Sequence, residues 1–333
     1  MEKRRRDRLQ RLLQHLDRVS VAVVGDFLID EFLFGEIARV SREAPVLILR
    51  YRETRTHPGG AANTVANVAA LGARVLPVGV VGGGSDGDEL LSLWPANVDR
   101  GYLLRPPDQP VTRKVRILAG SFHSYRQQVV RMDYEHPLQL ERAAERELLE
   151  RFSGVLERVQ AVIISDYSLG TVTPRLGRRL VQSARQAGVP VVVDSRDRPQ
   201  AFRGATTATP NITEVEAALG KTIGQDSTLL ERWGAQARSQ WELDALLVTR
   251  GKLGMSLFTS DGVHHIPPFG LQEAVDVTGA GDTVAAVYAA ALAAGAGFRD
   301  AAELANVAGG LVVQKKGTAT VSRDELREAL DGS

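Results

Sequence analysis

The chain has no cysteine in 333 residues. That excludes a disulfide framework, thiolate zinc or iron–sulfur sites and a cysteine nucleophile, and it fits a reducing compartment. Aromatics are sparse, at 5%. An excess of either charge is also missing: 41 Lys and Arg against 40 Asp and Glu leave a formal net charge of +1. Such a chain has no global attraction for nucleic acid or an anionic membrane, and neither is expected as a partner. The longest apolar stretch, Val284 to Gly297, is rich in alanine and shorter than the roughly 20 residues that cross a bilayer. No export signal stands out, so a cytoplasmic protein is expected.

What remains is an ordinary globular composition, 44% hydrophobic and 24% charged, with 32 glycines. The length allows one large domain or two modest ones, and a core that needs no covalent staple. Between Met1 and Arg18 seven Lys and Arg face three Asp and Glu, while Leu9, Leu12, Leu13, Leu16 and Val19 recur at helical spacing. This reads as a solvated helix that packs its leucines on the body, in preference to a membrane-binding helix.

Short apolar runs at Val19–Gly25, Arg74–Val81, Ala161–Ser165, Val189–Asp194 and Ala245–Thr249 have the character of buried parallel strands. Helical segments lie between several of them, at Asn63–Leu71, Leu140–Arg158 and Thr173–Ala187. The alternation predicts an α/β fold with a doubly wound, mostly parallel sheet, whose ligands sit beyond the carboxyl ends of the strands. Glu31–Arg55 and Val111–Asp133 carry strand character without intervening helices. They read as antiparallel strands outside the main sheet, forming a small β-rich lid over about 31–57 and 109–134. No repeat or linker divides the chain, so 1–333 is expected to be a single domain. Ser322 and Glu325 form a capping box for a last helix.

Four segments carry chemistry. Asp276-Val-Thr-Gly-Ala-Gly-Asp-Thr283 opens an alanine-rich helix. Thr278, Gly279, Ala280 and Gly281 leave backbone N–H groups exposed at a helix N-terminus, a site for a phosphate-like anion. A carboxylate beside that site makes sense as a general base, which assigns the role to Asp282. The plainer alternative is that Asp282 caps the helix and the glycines only pack. His57-Pro-Gly59-Gly60-Ala-Ala-Asn63 reads as a second glycine-rich turn into a helix, with Asn63 offering a donor and an acceptor to sugar hydroxyls, or as tight helix packing. In Thr209-Pro-Asn211-Ile-Thr-Glu214 the spacing puts Asn211 and Glu214 on one face. Two oxygen ligands suit Mg²⁺, and a capped surface helix suits them equally. Thr249-Arg-Gly251-Lys-Leu-Gly254 follows a strand with a glycine loop fit for a nucleotide. The P-loop pattern is absent.

In this order the four segments resemble the signatures of the ribokinase-like, or PfkB, sugar kinases, over nearly the whole chain. The resemblance implies a ribokinase-like fold and an ATP-dependent carbohydrate kinase using Mg²⁺. It implies Asp282 as base with Gly279, Ala280 and Gly281 as anion hole. A sugar would lie against Asp30, Gly59, Gly60, Asn63 and Asp166, and a nucleotide against Thr249, Gly251, Gly254 and Asn306. Asn211 and Glu214 would hold Mg²⁺ through water, and Asp276 and Thr278 could line a monovalent-cation site. Family likeness also implies a homodimer through the lid strands.

Within the family the chain is most similar to the kinases of D-glycero-β-D-manno-heptose 7-phosphate, which act in ADP-heptose synthesis for lipopolysaccharide. Gly25–Asp30, Arg39–Val46, Gln127–Asp133 and Ser165–Tyr167 carry that narrower likeness. Arg126, Arg131 or Arg42 would then hold the 7-phosphate, since arginine's fork suits phosphate oxygens. Arg42 stands where those kinases usually have proline, and Ser195-Arg196 where they tend to have Pro-Lys. Two readings compete with the heptose kinase. One is a family member acting on another sugar, sugar phosphate or nucleoside; the other is a silent sugar- or nucleotide-binding regulator on the same fold.

Overall fold

The computed structural model describes residues 3–120, 127–270 and 274–332. Its first helix, α1 (Lys3–Leu13), buries Leu9 and Leu13, while Arg8 pairs with Asp300 near the surface and Arg5 reaches the buried Glu303. The helix is thus spent on the body of the protein, as its leucine spacing predicts. Strands β1 (Ser20–Gly25), β2 (Phe27–Val40) and β3 (Leu47–Gly60) lead directly into α2 (Ala61–Ala70). There follow β4 (Arg74–Val80), α3 (Ser85–Ser92), β5 (Leu103–Leu104), β6 (Arg113–Gly120) and β7 (Gln127–Tyr134). The middle of the chain gives α4 (Arg142–Leu156), β8 (Ala161–Asp166), α5 (Pro174–Gln186), β9 (Val191–Ser195) and β10 (Thr207–Ala208). Next come α6 (Ile212–Leu219), α7 (Ser227–Gln240), β11 (Ala245–Thr249), β12 (Met255–Thr259) and β13 (Gly262–Ile266). Three helices close the chain: α8 (Ala280–Ala293), α9 (Phe298–Val312) and α10 (Arg323–Asp331).

Among the described residues the strands form two sheets, one of nine in the order β13-β12-β11-β10-β9-β8-β1-β4-β5 and one of four in the order β3-β2-β6-β7. The large sheet is parallel from β5 to β11 and ends in an antiparallel hairpin, β12–β13. Strand β1 shows why it must be buried on both faces. Val21 and Val23 enter one core with α2, α8 and α9, while Ala22 and Val24 enter the other with α4 and α5. The alanine-rich run is α8, buried on every side around Tyr288, which accounts for its lack of a polar face. No helix among the described residues is long and apolar enough to cross a membrane.

The four-stranded sheet is the expected lid, with one difference in pairing. β2–β3 and β6–β7 are antiparallel hairpins, but the seam between them, β2 against β6, is parallel. Pairing partners depend on what lies between the strands, which alternation within a strand does not encode. Glycines 59 and 60 also differ from the expected turn: they are the last residues of β3, paired with Leu28 and Phe27. The capping box at Ser322 and Glu325 is present.

Candidate active site

Parallel strands of the large sheet end on one rim, where β1 stops at Gly25, β8 at Asp166 and β9 at Ser195. The lid strands β2 and β6 stand over this rim, and α8 enters it by its N-terminus. Between them lies a cleft of about 310 Å³ that includes Asp30, Lys114, Asp194, Glu214, Gly279 and Asp282.

The entry to α8 is built by glycine. Gly279 is the N-cap with φ of 76°, and a Cβ there would come within 2.6 Å of Asn63 Nδ2. A left-handed cap without a side chain lets the helix start against α2. The capping position is therefore Gly279, and the alternative of Asp282 as a cap does not hold. Asp282 lies in the first turn, 3% exposed. Its Oδ2 accepts from Asn63 Nδ2 at 2.8 Å, and its Oδ1 accepts from Thr64 Oγ1 at 3.1 Å and from the Tyr167 hydroxyl at 2.9 Å. Burial pushes the carboxyl up to about 6, against the pull of those three donors. It is thus mostly ionised at neutral pH yet basic enough to take a proton.

The other expected sugar contacts divide. Asp30 and Gly60 line the cleft, and Asp30 is paired with Arg116. Gly60, at φ of 56°, lets β3 turn straight into α2; a Cβ there would meet Asp26 O at 2.9 Å. Gly59 is buried against Leu28 and Asp30. Asn63 does not open on the cleft, because its amide is given to Asp282 and its Oδ1 accepts from Asn67 at 3.2 Å. Asp166 touches the cleft, but its oxygens accept two bonds from Arg198, at 2.9 and 2.8 Å, and one from Ser195 Oγ at 2.8 Å. Asn63 thus stands behind the surface that the resemblance assigned to the sugar, and Asp166 reaches it with both oxygens already bonded.

Asn211 and Glu214 make a reciprocal capping box at α6: Asn211 N donates to Glu214 Oε2 at 2.8 Å, and Glu214 N donates to Asn211 Oδ1 at 2.9 Å. The capped-helix alternative is therefore realised. Glu214 nevertheless lines the cleft, facing Asp194, and burial raises its carboxyl to about 7. Asp194 is raised well above the carboxylate range, by burial first and then by Asp282 and Glu214. Among the described residues no three His, Cys, Asp or Glu side chains are grouped to hold a metal. The donor set present, the carboxylates of Asp194 and Glu214 in the cleft lining, fits a Mg²⁺ that keeps most of its waters. Asp276 is turned inward, accepting from Thr278 N and Gly317 N, both at 2.9 Å.

A second cavity of about 220 Å³ opens on the other side of α8. Its lining includes Thr249, Gly251, Gly254 and Asn306, all expected at a nucleotide, with Phe269 and Val313 as apolar walls. Asn306 donates to Pro267 O at 2.9 Å. Ala280 borders this cavity, and Gly281 lines both cavities, with no atom within 4 Å of a Cβ built on it. The α8 turn thus separates an apolar pocket from a charged one.

The basic residues are arranged differently from expectation. Arg126 lies outside the described residues, and Arg42 is exposed at the β2–β3 tip, away from the cleft lining. Arg131 is at the cleft, in a bidentate pair with Asp133 at 2.7 Å. Sequence reasoning missed Lys114 and gave no site role to Asp194, Arg196 or Tyr167, which entered only through the comparison with heptose kinases. Lys114 and Arg116, two apart on β6, share a face, and that period was the available signal.

The pfkB family carbohydrate kinase model matches residues 19–325. The chain belongs to that family. This kinase is 40% identical over 324 residues to the bifunctional protein HldE of Geobacter sulfurreducens, covering 96% of this chain and 65% of that protein. It is 40% identical over 315 residues to HldE of Coxiella burnetii, covering 94% and 64%. The kinase therefore spans just under two thirds of the length of these relatives. Its fold is shared with Arabidopsis thaliana ribokinase complexed with ribose and ATP, at a TM-score of 0.72, 20% identity and coverage of 95% and 99%. Phosphofructokinase-2 from Escherichia coli aligns at a TM-score of 0.74, 19% identity and coverage of 94% and 99%. The chain is accordingly a pfkB family carbohydrate kinase with a ribokinase-like fold.

Proposed function

We propose that this kinase transfers the γ-phosphoryl of ATP to O1 of D-glycero-β-D-manno-heptose 7-phosphate, giving the 1,7-bisphosphate for ADP-heptose and lipopolysaccharide synthesis. The observation that carries a phosphate-bearing acceptor is Lys114. It is 5% exposed, lies 5.3 Å over the Tyr167 ring, and has no ion-pair partner among the described residues. Burial pulls its ammonium below the usual lysine range. An unpaired buried cation is costly unless a ligand supplies the anion. Arg131 and Arg196 border the same cleft, which also holds Asp282. The heptose identity rests on the motif likeness at Gly25–Asp30, Gln127–Asp133 and Ser165–Tyr167, together with the HldE relatives.

In this reading Asp282 takes the proton of the attacking hydroxyl, and the amides of Gly279 and Gly281 face the transferring phosphoryl; the Ala280 N–H, expected beside them, is instead donated to Val277 O at 3.2 Å. Preorganised donors at a helix N-terminus stabilise the charge that develops there. Asp30 and Gly60 meet the sugar, while Asn63 orients the base. The adenine nucleotide occupies the cavity of Thr249, Gly251, Gly254 and Asn306. Mg²⁺, held through water by Glu214 and Asp194, would neutralise nucleotide phosphate charge when bound. The lid of about 31–57 and 109–134 excludes water from a single kinase unit. We further propose that the enzyme works in the cytoplasm as a homodimer through the lid, where Ile37, Val40, Leu47, Val130 and Met132 are exposed. Light scattering at the monomer mass would contradict the dimer.

The test is coupled ADP release over a panel of sugars, sugar phosphates and nucleosides. Selective turnover of heptose 7-phosphate supports the proposal. Selective turnover of another acceptor, or binding of all without turnover, overturns it.

A further inference from the structure

We infer that Tyr167 is a positioning residue that selects which oxygen of Asp282 receives the proton; this rests on the reading of Asp282 as the base. Tyr167 follows β8, in a loop that two buried carboxylates hold in place. Asp26, 2% exposed, accepts backbone N–H bonds from Tyr167 at 2.9 Å, Leu169 at 3.1 Å and Thr171 at 3.0 Å. Asp166, fully buried, accepts from Ser168 N at 3.1 Å while Arg198 and Ser195 fix it from the other side. Ser168 sits at φ of 59°, a left-handed conformation that a non-glycine residue keeps only where its surroundings impose it. The loop side chain that reaches Asp282 is Tyr167.

The consequence is an asymmetric carboxylate. Each carboxylate oxygen offers about two acceptor sites. Among the described residues, Oδ1 accepts from both Thr64 and Tyr167, so it is filled, and Oδ2 accepts only from Asn63. The vacant site is on Oδ2, and the proton of the acceptor hydroxyl passes there, while the electron pair of that O–H bond attacks the γ-phosphorus of ATP and the bond to the bridging oxygen breaks, its electron pair leaving on ADP. Tyr167 and Thr64 keep the carboxylate from rotating Oδ1 into that place.

The test is Tyr167→Phe, which keeps the ring beneath Lys114 and the backbone bonds to Asp26. Loss of one hydrogen bond to a charged group is worth about tenfold, so kcat should fall by about that factor with the KM for MgATP within about twofold. The hydroxyl favours the ionised form of Asp282, so its removal moves the acid limb of the kcat–pH profile up by about one unit. The substitution leaves in place the other ionisable groups that line the cleft with the carboxylate, Asp30, Lys114, Arg116, Arg131, Asp166, Asp194, Arg196 and Glu214. A melting temperature close to wild type is expected, because Asp26 holds the loop through its backbone. An unshifted acid limb, with or without a fall in kcat, overturns the inference. Asp282→Asn is run beside it: near-normal turnover there overturns the base itself, whereas an inactive Asp282→Asn with an unshifted Tyr167→Phe profile overturns the role of Tyr167 alone.

Discussion

Asn63 donates its side-chain amide to Asp282 Oδ2 at 2.8 Å across 219 residues of chain, joining the first turns of α2 and α8. Both helices open on glycines, Gly60 and Gly279, in left-handed conformations. Glycine at these two places lets the helices approach closely enough for that bond, and the bond orients the carboxylate. Sugar and phosphoryl group are proposed to meet where the helices start.

The buried carboxylate has a cost that can be measured. Asp282 is raised from 3.8 to about 6, so the folded protein binds its proton more tightly than the unfolded chain does. Folding stability is therefore lost as pH rises from about 4 through about 6, by up to about 3 kcal/mol. Asp282→Asn does not titrate. Its melting temperature relative to wild type should rise between about pH 4.5 and pH 7.5, while turnover falls at least about a hundredfold. A difference that stays flat with pH would contradict the placement of the charge.

Two glycines in one turn should respond differently. Gly279→Ala forces a side chain into a left-handed cap and against Asn63, at a cost of about 1–3 kcal/mol. Gly281→Ala meets nothing within 4 Å and should melt at or above the wild-type temperature, since alanine favours a helix by about 1 kcal/mol. Its methyl projects between the two cavities, and kcat/KM should fall at least about tenfold. An active Gly281→Ala would remove the phosphoryl group from that turn.

Lys114→Met keeps the buried stem and removes the charge. If the ammonium binds the acceptor's phosphate, KM for the phosphorylated acceptor rises about tenfold to hundredfold while KM for MgATP stays put. The free protein should also become more stable, because a desolvated cation is gone. Equal effects on both substrates in steady-state kinetics would place Lys114 outside the acceptor site.

Glu214 has two candidate duties, and one substitution separates them. Glu214→Gln retains an oxygen for the Asn211 N–H, so α6 should stay capped and the melting temperature should hold. If Glu214 also holds Mg²⁺ through water, the Mg²⁺ concentration for half-maximal rate rises several-fold. Asn211→Ala should do the reverse, costing about 1 kcal/mol of stability with little change in Mg²⁺ dependence.

The parts of this site that are legible in the sequence are those fixed by local physics. Runs such as Val19–Gly25 and Ala161–Ser165 mark buried strands, and the segments opening at Gly279 and Thr249 mark the two cavities. What spacing could not supply is which polar group faces which. Asp166 turns to Arg198, 32 residues on, and Asn63 turns to Asp282, because strand order brings those partners together. Lys114 was overlooked for the same reason: its place in the cleft follows from the parallel seam of β2 and β6. Asn211 and Glu214 carry a helix-cap signature, and the cap is what they form.

The account depends most on the acceptor and the site of transfer. Phosphorus NMR of a reaction of this kinase with MgATP and D-glycero-β-D-manno-heptose 7-phosphate reads both at once. The prediction is a new anomeric phosphate resonance growing beside the retained 7-phosphate and ADP, and absent with Asp282→Asn. Consumption of ATP without an anomeric phosphate, or no reaction while another sugar is turned over, would contradict it.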